Sequence, residues 1–279
     1  MYGLLEITPE EFSNISRLVY TRFGINLTEK KITLVKGRLN KIIKTKGYSS
    51  FQEYYDAVLA DTSGRELLEL VDRISTNHTY FYREGDHFSV LRTRILPEML
   101  EKGRLRDLSD LRLWCAGCAS GEEAYTLAME LKEFARERMQ HPARTILATD
   151  ISLTALENAQ RGEYPAERLR ELSEEKRNRY FHLAENGTYR VKDELRSLIL
   201  YKRLNLMSEN YPFKNKFHII FCRNVMIYFD KPTKDHLVQR MTDLLIPGGY
   251  LFIGHSESLG RDLKELRYRQ PALYQKVAD

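Results

Sequence analysis

The sequence predicts an α/β protein in two parts: an all-α N-terminal domain over residues 1–75, and a mostly parallel sheet covered by helices over residues 76–279. Three observations predict it. Before residue 75, apolar residues recur only at helical spacing. From Leu111 onward, short β-branched or apolar runs alternate with helical stretches, the grammar of a parallel sheet with both faces covered. Later in the chain, Asn186-Gly187 separates two strand-like runs and marks a small antiparallel β insertion at about 178–203.

In the first part, Phe12, Ile15, Leu18 and Val19 place one helix, and Gly24 ends it. A second helix follows the candidate cap Thr28, with Ile32, Val35, Leu39 and Ile42 stepping by three and four. Between Lys30 and Lys46 stand seven basic residues (Lys30, Lys31, Lys36, Arg38, Lys41, Lys44, Lys46) and no acidic one. Such a run suits a solvated helix face or the docking of an acidic helical partner. Gly47 closes it.

In the second part, candidate strands are Leu111–Cys115, Thr145–Thr149, Phe217–Cys222, Tyr250–Ile253 and a last one near Leu273–Val277. Candidate helices are Glu122–Arg138 and Thr233–Leu245. Pro232 suits the first turn of the latter, and Pro247-Gly248-Gly249 is expected to end it. The insertion holds a charged helix-like segment from Ser173 and strand-like Thr188–Lys192 and Leu198–Arg203.

Composition narrows the class. With 42% apolar and 30% charged residues, the chain is ordinary for a folded protein. No apolar run approaches the roughly 18 residues of a membrane span. No basic, then apolar segment opens the chain, so a cytoplasmic location and no membrane insertion are expected. A net charge of +5 is too mild to demand nucleic acid, and none is expected as a partner. Three cysteines are an odd number and too few to staple a fold of this size.

The segment Trp114-Cys115-Ala116-Gly117-Cys118-Ala119-Ser120-Gly121-Glu122-Glu123 follows a strand and opens a helix. Its small residues let backbone approach a ligand closely. It is not G-x-G-x-x-G, and no Lys-Ser/Thr follows, so it is no phosphate cradle. Glu122 and Glu123 at the helix start suit a cationic ligand. They equally suit the helix dipole alone, at about 0.3–1 kcal/mol each. The strand Thr145–Asp150 ends in an acid, placed to bind both hydroxyls of a ribose. The alternative is that Asp150 caps the helix starting near Ser152. Cys115 and Cys118 form C-x-x-C, but no second ligand pair stands at metal spacing, and no metal site is expected.

Taken in order, five motifs resemble the CheR family. They are Thr76-Asn77-His78-Thr79-Tyr80-Phe81-Tyr82-Arg83, then Trp114 with Ser120-Gly121-Glu122-Glu123-Ala124-Tyr125, then Thr149-Asp150. Phe221-Cys222-Arg223-Asn224-Val225-Met226-Ile227-Tyr228-Phe229 and Gly254-His255-Ser256-Glu257 complete the set. Members of that family are S-adenosylmethionine-dependent protein-glutamate methyltransferases. The resemblance spans roughly residues 10–275. It implies a class I (Rossmann-like) methyltransferase domain with a small antiparallel β-subdomain, preceded by an all-α receptor-docking domain. It also implies cofactor contacts at Asn77, Thr79, Arg83, Glu123, Asp150, Asn205, Leu206, Cys222, Arg223 and Asn224. The Gly254–Glu257 motif reads as support for the site wall.

The implied chemistry needs little from the protein beyond placement. A glutamate acceptor is already ionised at neutral pH, its unperturbed pKa being about 4.3. Sulfonium is a good leaving group. In-line positioning can then contribute on the order of 7–11 kcal/mol. Arg83 is the expected two-pronged holder of the acceptor carboxylate, and Tyr228 offers a hydroxyl beside it. The implied partner is a chemoreceptor cytoplasmic helical domain, met by the basic run Lys30–Lys46. Two other readings stand beside this one: a methyltransferase for another acceptor, and a non-catalytic cofactor-sensing, receptor-binding module.

Overall fold

Four helices build the first domain in the computed structural model, which describes residues 5–140, 142, 145–260 and 263–278; the expected outer limits at residues 1 and 279 lie outside them. They are α1 (Pro9–Phe23), α2 (Ile32–Thr45), α3 (Phe51–Ala60) and α4 (Arg65–Ile74). A reciprocal cap starts α1: Thr8 accepts from the Glu11 N–H, and Glu11 accepts from the Thr8 N–H at 2.7 Å. Such caps contribute about 1 kcal/mol. Gly24 ends the helix in the left-handed conformation. Ile15, Val19, Leu39, Ile43, Phe51 and Leu70 form this domain's own core.

The second domain opens with helices that its sequence did not announce, packed into its own core. These are α5 (Asp86–Val90), a wide π turn at Leu91–Ile95 and α6 (Leu96–Glu101). Then follow β1 (Leu113–Ala116), α7 (Glu122–Arg138), β2 (Ile146–Asp150), α8 (Leu153–Arg161), β3 (Glu163–Tyr164), α9 (Glu174–Tyr180), β4 (Phe181–Leu183), β5 (Tyr189–Val191), α10 (Asp193–Arg196) and β6 (Ile199–Arg203). The chain closes with β7 (Phe217–Cys222), α11 (Lys231–Leu244), β8 (Leu245–Ile253), β9 (Leu266–Gln270) and β10 (Leu273–Lys276).

Seven strands make one sheet in the order β6-β2-β1-β7-β8-β10-β9. The first five run parallel; β10 is antiparallel to both β8 and β9. β1 and β7 are buried along their whole length, as central strands covered on both faces must be. One face packs against α7 and the π turn through Leu91, Leu127 and Leu131. The other packs against α11 through Leu237 and Met241.

Two expectations need correction. Leu198–Arg203 does not belong to the insertion: as β6 it pairs in parallel with β2 and forms one edge of the main sheet. The insertion's sheet is instead β3-β5-β4, so it opens earlier, at Glu163. The Asn186-Gly187 turn does join antiparallel strands there. Pro247-Gly248-Gly249 does not follow the helix as a loop. Helix α11 stops at Leu244, and these residues ride inside β8, where the pairing with β7 shifts register.

Candidate active site

From β1 the chain moves outward to β2 and β6; from β7 it moves the other way to β8. The order therefore reverses between β1 and β7, and a crevice opens at their carboxyl ends. A cavity of about 360 Å³ lies there, within the range of small-molecule sites. Its sheet-side wall is made by the segments after β1, β2, β6 and β7. Its opposite wall is the helical domain, through Phe23, Ile25, Leu27, Lys31 and Leu34.

The loop after β1 is bent by backbone that only small residues accept. Gly117 has φ of 83°, and a Cβ there would stand 2.4 Å from a Val225 methyl. The loop after β1 is thus locked against the loop after β7. Asp150, at the tip of β2, lines the cavity while its carboxylate accepts from the Ala119 N–H at 2.8 Å and the Ser152 N–H at 2.9 Å. Ser152, not Asp150, caps α8: its hydroxyl accepts from the Ala155 N–H at 3.0 Å. Burial pushes the Asp150 carboxyl above its ordinary pKa, against the pull of those N–H donors.

The two glutamates that open α7 part company. Glu123 lines the cavity; Glu122 turns away to the Ser120 hydroxyl and Arg168. Glu123 pairs with Arg223 at 2.9 Å and also accepts from the Cys115 thiol. Burial raises its pKa, with Arg223 opposing. Arg223 carries on to Glu84 at 3.0 Å and to the Arg83 carbonyl, so its fully buried guanidinium joins two carboxylates. Burial would raise the Glu84 carboxyl, but Arg223 outweighs it and holds the pKa below the ordinary value. Glu84 also stands near His87 and His255, with candidate metal-ligand atoms within 4.8 Å of one another. The guanidinium already on Glu84 disfavours a second cation there.

Arg83 is aimed by its neighbours. Tyr82 and Glu84, on either side of it, both adopt left-handed backbone, with φ of 57° and 54°. Two such residues around one side chain cost energy that the surrounding fold must supply. Arg83 lines the cavity and donates to the His78 carbonyl at 3.0 Å. Asn77 and Thr79 line it from the same segment.

Asn205 and Leu206 line it after β6, and the Asn205 amide donates to the Arg22 carbonyl of the helical domain at 2.8 Å. Asn224 and Tyr228 come from the segment after β7. The Lys31 ammonium sits 5.5 Å from the centre of the Tyr228 ring. The Asn26 N–H donates to the Tyr228 carbonyl at 2.8 Å.

Nine of the ten residues expected at the cofactor thus share one cavity, and Tyr228 joins them. Cys222 does not: it is the last residue of β7, fully buried in the core against α11. Burial also raises the pKa of Cys115 and Cys118, so neither is poised as a thiolate. Sequence reasoning missed the whole helical-domain wall. Ile25 and Leu27 follow the Gly24 stop and carry no periodic signal, and Lys31 was absorbed into the basic run.

Comparison with known proteins gives the family. Residues 77–272 match the family described as "CheR methyltransferase, SAM binding domain", and residues 10–75 match "CheR methyltransferase, all-alpha domain". A chemotaxis protein methyltransferase of Borreliella burgdorferi is 44% identical over 98% of this chain and 96% of its own. A probable one of Rhizobium etli is 38% identical over 89% and 92%. That of Salmonella typhimurium is 33% identical over 97% and 91%. Likeness that runs through both domains at this level has one meaning: the chain belongs to the CheR methyltransferase family and uses S-adenosylmethionine.

Proposed function

We propose that the protein methylates glutamate side chains on the cytoplasmic helical domain of chemoreceptors, giving carboxyl methyl esters. The observation that carries this reading is the company Arg83 and Tyr228 keep: a guanidinium and a phenol line one cavity with the carboxylates Glu123 and Asp150. When bound, the cofactor supplies a methyl group activated by positive sulfur. The chain's own groups fit it. Asp150 offers acceptors to paired ribose hydroxyls, and Glu123 offers negative charge to a cationic amino acid end. Arg83 orients the acceptor carboxylate, and Tyr228 donates a hydroxyl beside it. Grip must stay moderate, because holding the ground state tightly would slow attack.

Docking on the basic helix belongs to the same reading, with a narrower surface than the charge run suggested. Lys46 pairs with Glu66 and Glu69 at 2.6 and 2.7 Å, Lys36 pairs with Glu6, and Arg38 donates to the Ile74 and Ser75 carbonyls. Lys30 and Lys41 are exposed and are the cations we assign to an acidic receptor helix. The test is transfer of labelled methyl to receptor-containing membranes, read as base-labile methanol. Release is expected. Cofactor binding without any base-labile label on receptor would transfer the reading to another acceptor or to a sensing role.

A further inference from the structure

The segment that follows β7 carries Arg223, Asn224, Val225, Ile227, Tyr228 and Phe229 into the cavity. It is irregular backbone, with Asn224 in the left-handed region at φ of 56°. Only three residues of it, Met226–Tyr228, form a single 3₁₀ turn. Such a segment does not hold side chains in place by itself, yet Tyr228 must be held if it acts on an acceptor.

What holds it is a carboxylate from the next strand's end. Glu257, 7% exposed, turns back beneath the segment. One oxygen accepts from the Asn224 N–H at 3.0 Å and the Gly254 N–H at 2.6 Å; the other accepts from the Ile227 N–H at 3.2 Å. The two segments touch so closely that a Cβ on Gly254 would stand 2.9 Å from the Asn224 nitrogen. No ion pair to Glu257 is found among the described residues, so backbone N–H groups are the partners its charge is seen to meet. A carboxylate only accepts hydrogen bonds, and that is what three converging donors require. An amide in its place would turn one donor toward another.

We infer that Glu257 is a positioning residue for the methyl transfer: it fixes the backbone of residues 224–227 and through it the hydroxyl of Tyr228. It does not line the cavity. This inference rests on the reading of Tyr228 given above, and its test separates the two. Wild-type transfer to receptor is measured first, and its failure would concern that reading alone.

The decisive variant is Glu257→Gln, alone and with Tyr228→Phe. Alone, it is expected to lower kcat about tenfold, as much as the Tyr228 hydroxyl it positions is worth, while the cofactor KM moves by a smaller factor. Amide hydrogen exchange is expected to quicken at Asn224 and Ile227 and to stay unchanged in β1. In the Tyr228→Phe background, the same change is expected to cost less than threefold, because the hydroxyl it positions is gone. Equal penalties in both backgrounds, an unchanged kcat, or exchange that quickens through β1 as well would each overturn the inference. If Glu257→Gln does not fold, Glu257→Asp serves. It keeps the charge but falls one methylene short, and the same split between kcat and KM, with the same dependence on Tyr228, is expected.

Discussion

The two walls of the cavity are built on different principles. On the sheet side, charged groups are buried and each is tied down: Asp150 by two N–H groups, Arg223 by two carboxylates, Glu257 by three N–H groups. On the helical side, the lining is mainly apolar, and the link to the sheet domain runs through a few polar contacts. The Tyr20 hydroxyl donates to Asp230 at 2.8 Å, the Asn26 N–H to the Tyr228 carbonyl, and the Asn205 amide to the Arg22 carbonyl. The Ser152 and Thr154 hydroxyls donate to Asp72 of α4. A polar, over-determined wall suits a fixed cofactor. The helical wall, mainly apolar but for Lys31, is joined to the sheet side by few polar ties.

The strongest way to break this contrast is Asp150→Ala. It removes the buried acceptor of the Ala119 N–H, which is also the acceptor proposed for the cofactor, and charged hydrogen bonds of this kind are worth about 1.5–3 kcal/mol. Affinity for S-adenosylhomocysteine, read by calorimetry, is expected to fall roughly 10- to 150-fold at that magnitude. An unchanged affinity would mean that the sheet wall is not the cofactor wall.

Next in size, Tyr228→Phe is expected to lower kcat about tenfold, a loss of one hydrogen bond at the reacting groups, and to leave cofactor affinity alone. Loss of affinity instead would assign Tyr228 to the wrong partner.

A third prediction separates the two domains by pH. Burial, with Arg223 nearby, lowers the His87 pKa to about 4, and burial with Arg112 nearby lowers that of His218 to about 4. Unfolding returns both imidazoles to about 6.5. Between these values the unfolded chain takes up protons that the fold refuses. The stability these neutral histidines contribute is therefore full above pH 6.5 and is lost as the pH falls toward 4. Each accounts for at most about 1.4 kcal/mol per pH unit within that window. Residues 1–75 contain no histidine, so the helical domain lacks this sensitivity. Chemical denaturation followed at Trp114 across that range should weaken on the acid side, and His87→Leu should flatten the slope.

The smallest effect is expected from Lys30→Glu with Lys41→Glu. The KM for receptor should rise about two- to fivefold, more at low salt, with kcat and cofactor affinity unchanged. No change at low salt would remove the basic helix from docking.

Much of this architecture was readable from residues alone, and the failures have physical causes. Central strands such as Phe217–Cys222 read clearly because burial on both faces leaves an unbroken apolar run. The bend at Gly117, the helix-start Glu123 and the strand-end Asp150 left local signatures, whereas the other sheet-side cavity residues came in with the motifs of the family resemblance. Leu198–Arg203 was assigned to the wrong sheet because an edge strand's alternation is the same in either one. Pro247-Gly248-Gly249 read as a stop because a register shift inside a strand uses the same residues as a turn. Cys222 was carried in with its motif, although alternation along β7 turns it into the core. Glu257 was noted as part of the wall, but its three backbone donors lie 3 to 33 residues away in sequence and only the fold assembles them.

The contact between Asn26 and Tyr228 also sets a timetable. The helical domain leaves the ribosome first, and its docking partner follows about 200 residues later, an interval of roughly 10–40 s at ordinary rates of synthesis. For that time Phe23 and Leu27 have only their own domain's core to pack in, and Leu34 stays exposed. A domain that waits must close its own core first, as the Ile15, Val19 and Leu39 cluster allows.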